Sequence, residues 1–228
     1  ANAYNVKLNA GGTVDNAVTF NNTGTLTIGD AAADNMAFTA GVTATAPSSK
    51  SIAGTISAAG TGVINLGTSA TTVTDDATVG GASTGQITLA AVTVNDGKTL
   101  TLGTGVGAPI TTGTVSGVAG GTASNLTINT TGAASVGVVG TDVGTVTVTN
   151  SGGTTFTGAV TTGTSVVLTN TTGDIAFNGA LTTPTLTATA NAYNVKLNAG
   201  GTVDNAVNAG GTVDNAVTFN NTGTLTIG

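Results

Sequence analysis

Few side chains in this chain can titrate, attack a bond or hold a metal ion. Its 228 residues contain ten Asp and no His, Cys, Glu or Arg, and the four lysines are Lys7, Lys50, Lys98 and Lys196. A Ser-His-Asp or Cys-His arrangement therefore cannot form within it. Asp75 and Asp76 come closest to the carboxylate pair of glycoside hydrolysis, but adjacent strand residues point to opposite faces. We expect a solvated turn at this pair, no catalytic or cofactor-binding residue, and a protein that is not an enzyme.

Aspartates and asparagines recur in turns, and their oxygen atoms are ligands that Ca²⁺ prefers. The turns are 14–16, 95–97 and 172–174. Segment 11–15, with copies at 200–204 and 210–214, has the opening glycines of the calcium-binding nonapeptide G-G-x-G-x-D-x-hydrophobic-x. It lacks the third glycine, and its Asp is shifted. Ordinary turn aspartates are therefore favoured, no metal ligand is predicted, and calcium stays an alternative.

The charge balance restricts the partners of the chain. The net charge of −6 excludes the cluster of Lys and Arg that nucleic-acid binding requires, and it argues against docking on anionic lipid. No apolar run approaches the roughly 18 residues of a membrane-spanning helix, so we expect no membrane insertion. The absence of Cys excludes disulfides and fits an exported bacterial protein.

The elements that carry these residues are predicted to be short strands. Apolar residues alternate with Thr in bursts such as 25–28, 62–66, 99–102 and 145–148, separated by Gly, Asn and Asp. This period of two, with β-branched residues, is typical of strands, and no helical stripe free of Gly occurs. The alternation and an apolar fraction of 39% argue against disorder. We predict an all-β protein with essentially no helix.

A second, longer period organises the strands. Ile128, Val148 and Leu168 are spaced by twenty residues, and segments 156–162 and 177–183 match at a spacing of twenty-one. A coil of roughly 20 residues predicts a parallel β-helix (β-solenoid) of about eleven coils, with Phe156 stacked on Phe177. Asparagines with left-handed backbone are expected at equivalent corners: Asn129, Asn150 and Asn170. A two-sheet sandwich array is the alternative, disfavoured because the chain has no Trp.

Outward threonines predict a polar exterior and raise the question of ice binding. An ice-ordering face requires an unbroken Thr-x-Thr in each coil. Thr99 with Thr101 and Thr145 with Thr147 fit, but segments 123–129 and 166–170 are expected to lose the register. Ordinary solvation of a strand face is therefore the prediction.

The beginning of the chain recurs near its end. Residues 190–207 copy residues 1–18 letter for letter, so the chain returns to its first letters at position 190, and residues 208–228 copy residues 9–29. The ten-residue block NAGGTVDNAV therefore occurs twice in a row. Stacked repeats tolerate such restarts because each coil contacts only its neighbours. We predict a single solenoid over 1–228, with a restart of the 1–29 repeat at 190–228.

Two phrases resemble a known class of proteins: NTTGDIAFNGAL at 170–181 and VTFNNTGTLTI at 18–28. They are similar to the passenger repeats of large bacterial surface proteins, namely rickettsial-type outer-membrane autotransporters and filamentous-haemagglutinin-like repeat proteins. The resemblance implies a parallel β-helix displayed on a cell surface as an adhesin, spacer or protective layer, with no catalytic residues to transfer.

The resulting hypothesis is a non-enzymatic extracellular structural protein on a bacterial surface. It forms a rod or filament by stacking β-coils, with end-to-end self-association as the expected interaction. Two alternatives stay open. One is an adhesin that binds a host or surface ligand, and the other is an S-layer-type lattice protein stabilised by calcium, a class that shares the acidic, Cys-free, Thr/Ala/Gly-rich composition.

Overall fold

A computed structural model describes residues 1–189, 191–203 and 224–227. Every strand pair in this part is parallel, no helix occurs in it, and the strands form a β-solenoid, so the predicted fold is confirmed. Val, Ile and Thr suit this fold because their branched side chains pack well on a pleated surface. In the described part of the chain, no helix is available that could cross a membrane.

Each turn of the solenoid places one strand on each of three faces. The first face contains β1 (Val6–Leu8), β4 (Thr25–Ile28), β7 (Ser49–Ala58), β9 (Thr71–Gly81), β11 (Val92–Val94), β14 (Val115–Gly117), β17 (Val139–Gly140), β20 (Val160–Thr161), β23 (Leu181–Thr183) and β26 (Gly201–Val203). The second face contains β2 (Gly12–Val14), β5 (Asn35–Phe38), the far halves of β7 and β9, β12 (Thr99–Leu102), β15 (Ser124–Asn129), β18 (Val143–Ser151), β21 (Ser165–Thr171) and β24 (Thr185–Ala188). The third face contains β3 (Val18–Thr19), β6 (Val42–Thr43), β8 (Ile64–Leu66), β10 (Ile87–Leu89), β13 (Ile110–Thr112), β16 (Ala134–Val136), β19 (Thr154–Phe156), β22 (Ile175–Phe177), β25 (Val195–Leu197) and β27 (Leu225–Ile227).

The third face gives the number of turns. Its ten strands mark about nine turns, fewer than the eleven predicted. Equivalent residues are 22 to 24 positions apart from Val18 to Ala134, and 20 or 21 apart from Ala134 to Val195. The predicted coil length matches the second half of the chain. The longer coils of the first half explain why the solenoid has about nine turns and not eleven.

The apolar core fills the space between the three faces. Ile128, Val148 and Leu168 pair in register as predicted, and each is fully buried. Phe156 stacks on Phe177 with ring centroids 4.8 Å apart and planes inclined by 7°, which confirms the predicted aromatic pair. Since parallel ladders place equivalent residues above one another, each inward row becomes a column of packed apolar side chains.

The corners differ from the prediction. Asn129, Asn150 and Asn170 do stack in register, but they are not the left-handed residues. Among the described residues, the positive φ angles outside glycine belong to Thr68, Thr141 and Asp142. Asn150 and Asn170 lie inside strands that continue past the position expected for a turn, so their backbone stays extended.

The two copies of the long repeat lie on different faces. Val6 lies in β1 on the first face, whereas its copy Val195 lies in β25 on the third face. Eight turns separate β3 from β25, and β1 lies two faces before β3, so the repeat advances by eight and two-thirds turns.

The last step of the third face, from Val195 to Leu225, is longer than every earlier step on that face. This coil includes the doubled ten-residue block, most of which lies outside the described residues. The single solenoid over 1–228 with a restart at 190–228 therefore stays a prediction.

Candidate functional surfaces

Asp75 and Asp76 lie where β9 bends from the first face to the second. Asp75 forms an ion pair with Lys98, 2.6 Å from Oδ1 to Nζ, and its Oδ2 accepts a hydrogen bond from the Ala32 amide at 3.1 Å. Asp76 Oδ1 accepts one from the Thr99 amide at 2.8 Å. The hydrogen bond from Lys98 holds the pKa of Asp75 below its usual value, and the same bond raises the pKa of Lys98.

The prediction that these two carboxylates point to opposite faces is wrong. Val73 and Ala77 are buried and the three residues between them face outward, because the alternation breaks at the corner. A general acid for glycoside hydrolysis needs a raised pKa, and that of Asp75 is lowered. The Ala32 amide lies two coils before Asp75 and the Thr99 amide one coil after Asp76, so the two carboxylates link several coils at this corner. A shallow depression of about 380 Å³ beside them is lined by Thr74, Asn95, Asp96, Lys98 and Val118.

The turns considered for calcium do not gather into a site. Among the described residues, no three His, Cys, Asp or Glu side chains form a metal-binding group. Asp174 pairs with Lys196 and accepts a hydrogen bond from Asn194 Nδ2 at 2.7 Å, and the Lys196 hydrogen bond lowers its pKa. Asp15 is exposed, while its copies Asp204 and Asp214 lie outside the described residues. Calcium stabilisation stays an untested alternative.

The sequence reasoning missed Lys50, which points into the core. It lies in an inward column between Leu26 and Thr71 and is only 2% exposed. Its Nζ donates a hydrogen bond to Ser69 Oγ, which in turn donates to the Pro47 carbonyl at 2.6 Å. Burial lowers the pKa of Lys50. The signal was readable, because in Ser-Lys-Ser-Ile at 49–52 the lysine shares the alternation phase of the isoleucine.

The Ser69–Lys50 contact does not form a nucleophile–base pair. A serine activated by lysine must donate its proton to the amine. Ser69 instead donates to the Pro47 carbonyl and accepts from Lys50. Thr71 Oγ1, in the next coil of the same column, is buried without a hydrogen-bond partner. Lys50 and Thr71 therefore form a polar interruption of the apolar core, and we expect this interruption to lower the stability of the fold.

The second face carries a two-row array of outward hydroxyls. One row is Thr55, Thr78, Thr101, Thr127, Thr147, Val167 and Thr187, and the other is Thr99, Asn125, Thr145, Ser165 and Thr185. Segment 123–129 shifts register between Ser124 and Asn125 and between Ile128 and Asn129, as expected. The two rows themselves keep register through 125–128 and 165–168, contrary to the expectation, and their exceptions are the residue types Asn125 and Val167. Neighbours along a row are about 4.8 Å apart and the rows about 6.8 Å apart, as strand geometry dictates.

Comparison with protein-family models, with curated proteins and with solved structures finds no match to this chain. The fold and these surfaces therefore carry the argument on function.

Proposed function

We propose that this chain is a non-enzymatic structural protein of a bacterial surface, located outside the cell, which forms a rod by stacking β-coils and lengthens by end-to-end self-association. The observation that carries the proposal is the regular three-faced ladder that continues through about nine turns. Such a stack is about 43 Å long at the strand spacing. The resemblance of 18–28 and 170–181 to autotransporter and haemagglutinin-like repeats supports the surface location.

The outer surface supports a role as scaffold or spacer. Hydroxyl side chains dominate the outward rows, for example Thr88, Thr111, Ser135 and Thr155 on the third face. Threonine hydroxyls keep such a surface hydrated without charge, and the interior has an apolar column under each row. In a parallel ladder, the unpaired backbone groups of an uncovered coil edge can template another strand, and this property of the fold supports self-association.

Electron microscopy of the purified 228-residue chain over a concentration series tests the assembly. We expect unbranched rods whose length increases with concentration. Discrete particles of constant length at every concentration would contradict end-to-end assembly. Immunogold labelling of intact cells of the encoding bacterium tests the location. Labelling that requires permeabilised cells would contradict it.

The hydroxyl array of the second face favours a second candidate function, the binding of ice or of ordered surface water. Its support is the retained register of the Thr-x-Thr rows. Thr101→Lys and Thr147→Lys place bulky charges in the array, whereas Thr111→Lys changes the third face and serves as the control. Ice-recrystallisation inhibition that disappears with the first two variants and persists with the control supports this function. An inactive wild-type chain excludes it.

The adhesin alternative needs a contact patch on the outside of the rod. Three exposed valines beside the strand ends are its candidates: Val63, Val118 and Val138. The S-layer alternative predicts that calcium stabilises the fold. Both alternatives can be tested separately from rod assembly. Ligand binding tests the adhesin, and the effect of calcium chelation on stability tests the S-layer protein, and neither measurement requires filaments.

A further inference from the structure

Residues 118–122 form an exposed loop at the corner between the first and second faces. All five residues are exposed, and the exposed fraction of Val118 is 40%. The chain takes six residues, 118–123, to pass from β14 to β15, whereas it takes two, 141–142, at the same corner of the next coil. Because β14 and β15 pair with the strands of that coil, the additional residues project outward. At Gly120, whose φ is 96°, an added Cβ would meet no heavy atom within 4 Å.

The hydrogen bonds of this loop lie at its two ends. The Val118 amide donates to the Val94 carbonyl at 3.2 Å, and the Thr122 carbonyl accepts from the Gly97 amide at 2.7 Å. Within the part of the chain that the structure describes, residues 119–121 form no hydrogen bond. The middle of the loop therefore offers backbone N–H and C=O groups that are exposed and unpaired.

A second exposed loop of the same corner is fastened along its length. Residues 30–33 are exposed as well, but Asp34 Oδ2 accepts hydrogen bonds from the first two amides of this loop, both at 2.9 Å. The third amide donates to Asp75 Oδ2 at 3.1 Å. Three successive amides are thus occupied, although the alanines of this loop are as small and apolar as Ala119.

The difference between the two loops matters for proteolysis. A protease binds the residues around the scissile bond as an extended strand, through their backbone N–H and C=O groups. Exposed loop tips with small residues offer such groups without the loss of ladder hydrogen bonds. The residues that precede the unpaired bonds of the first loop are Val118 and Ala119. Both side chains fit a protease whose pocket for the residue before the bond is small and apolar.

We propose that the loop 118–122 is a processing site, at which an endoprotease specific for small apolar residues hydrolyses the bond after Val118 or after Ala119. One water molecule adds across the bond, so that its carbonyl carbon becomes a carboxylate and its nitrogen an ammonium group. The cut falls between the two hydrogen bonds of the loop, so each new end keeps one of them. The inference goes beyond the proposed function and does not depend on self-association.

The cut should leave the solenoid assembled as a rod of two chains. Three ladders join the two fragments, namely β12 with β15, β13 with β16 and β14 with β17. Buried apolar pairs connect the fragments within each ladder: Leu100 with Leu126, Ile110 with Ala134, and Val115 with Val139. Since stacked coils are held by their neighbours, these contacts do not require an intact corner.

Limited digestion of the full chain tests the site. Pancreatic elastase, whose pocket accepts small apolar residues, is the probe. We expect the first cut after Val118 or Ala119, identified by the masses of the two fragments, while 30–33 stays intact. Synthetic peptides of residues 27–38 and 115–126 serve as controls without the fold, and both should be cleaved. Sedimentation and circular dichroism of the cut protein should match those of the uncut chain.

Variants separate the residue type from the conformation of the loop. Val118→Asp/Ala119→Asp should slow the first cut by more than about tenfold, because a carboxylate does not enter a small apolar pocket. Ala31→Asp/Ala32→Asp makes the same kind of change in the fastened loop and should leave the rate unchanged. Asp34→Ala removes the acceptor of two amides and should open the loop 30–33 to cleavage, while the cut after Val118 or Ala119 keeps its rate.

Several results would overturn the processing site. One is a full chain that stays intact under conditions that cleave the peptide 115–126, and another is a first cut in a different segment. Cleavage of Val118→Asp/Ala119→Asp at the wild-type rate would contradict the assigned protease class. Fragments that separate or lose their strands would contradict the two-chain rod. Failure of the uncut chain to form filaments would count against the proposed function alone, because cleavage is measured on the monomer.

Discussion

Replacing the buried Lys50 by methionine should stabilise the protein. An ammonium group has three N–H donors. Among the described residues, Ser69 is the sole hydrogen-bond partner of Lys50 Nζ, and the side chain is almost completely buried. Methionine fills the same volume with an unbranched apolar chain, and Ser69 keeps its hydrogen bond to Pro47.

The magnitude follows from the donors that Ser69 does not satisfy. The two donors that Ser69 leaves unsatisfied cost about 1–3 kcal/mol each, and Lys50→Met also loses the hydrogen bond to Ser69, worth about 1.5–3 kcal/mol, so the free energy of unfolding should rise by about 1–3 kcal/mol at pH 7. For a chain of this size each kcal/mol shifts Tm by about 2–4 °C. Burial lowers the pKa of Lys50 from 10.5, so between the folded pKa and 10.5 the unfolded state binds more protons. Wild-type stability therefore rises with pH in that window, and the advantage of Lys50→Met shrinks towards pH 10.5.

Urea unfolding followed by circular dichroism at pH 7 and pH 10 measures both effects. Lys7→Met is the control, because Lys7 is exposed and its replacement should stay within about 0.5 kcal/mol of the wild type. A Lys50→Met variant that is less stable than the wild type at pH 7 would refute the reasoning, since Nζ would then make net favourable contacts.

Three further predictions concern the core, the corners and metal binding. Phe177→Ala removes half of the Phe156 stack and should cost about 3–5 kcal/mol in urea unfolding, whereas Val63→Ala on the surface should cost under about 0.5 kcal/mol. Gly54 and Gly60 both have positive φ, but an added Cβ at Gly54 meets the Asp34 carbonyl oxygen at 2.2 Å, and at Gly60 it meets nothing within 4 Å. Gly60→Ala should therefore cost about 1–2 kcal/mol, and Gly54→Ala clearly more. Equal losses of stability would contradict the inference that close backbone contact, and not positive φ alone, requires glycine at position 54. Chelation of calcium should leave Tm unchanged, and a Tm that falls with EDTA and recovers with added Ca²⁺ would instead favour the S-layer alternative.

Much of the local structure was predictable from the alternation of residue types. Strands β4 and β12 have the predicted bounds, and the columns through Val148 and Phe156 follow from spacings of 20 and 21. The longer and less regular coils of the first half give no such spacing: Leu66 pairs with Leu89 on the third face, while Leu102 lies on the second. A chain of similar short strands gives no local signal of which face each one joins.

The candidate surfaces were likewise predictable from the sequence only in part. Residue types alone argued against a catalytic triad, and alternation alone places Lys50 inward. The corner at Asp75 and the register of the threonine rows depend on where the backbone bends, which a period of two does not contain. Bends of this kind are set by contacts with the neighbouring coils, which are distant in the sequence.

Away from the corners, the sequence by itself determined which side chains point inward, and it also determined the approximate length of a coil and the restart of the repeat at residue 190. Only the tertiary structure decided the face on which each strand lies and whether its edge is covered. Tyr4 and Tyr193 have identical flanking sequences, yet one is exposed and the other buried. The physical reason is that alternation encodes inside and outside locally, whereas burial of a coil edge depends on whether another coil lies against it.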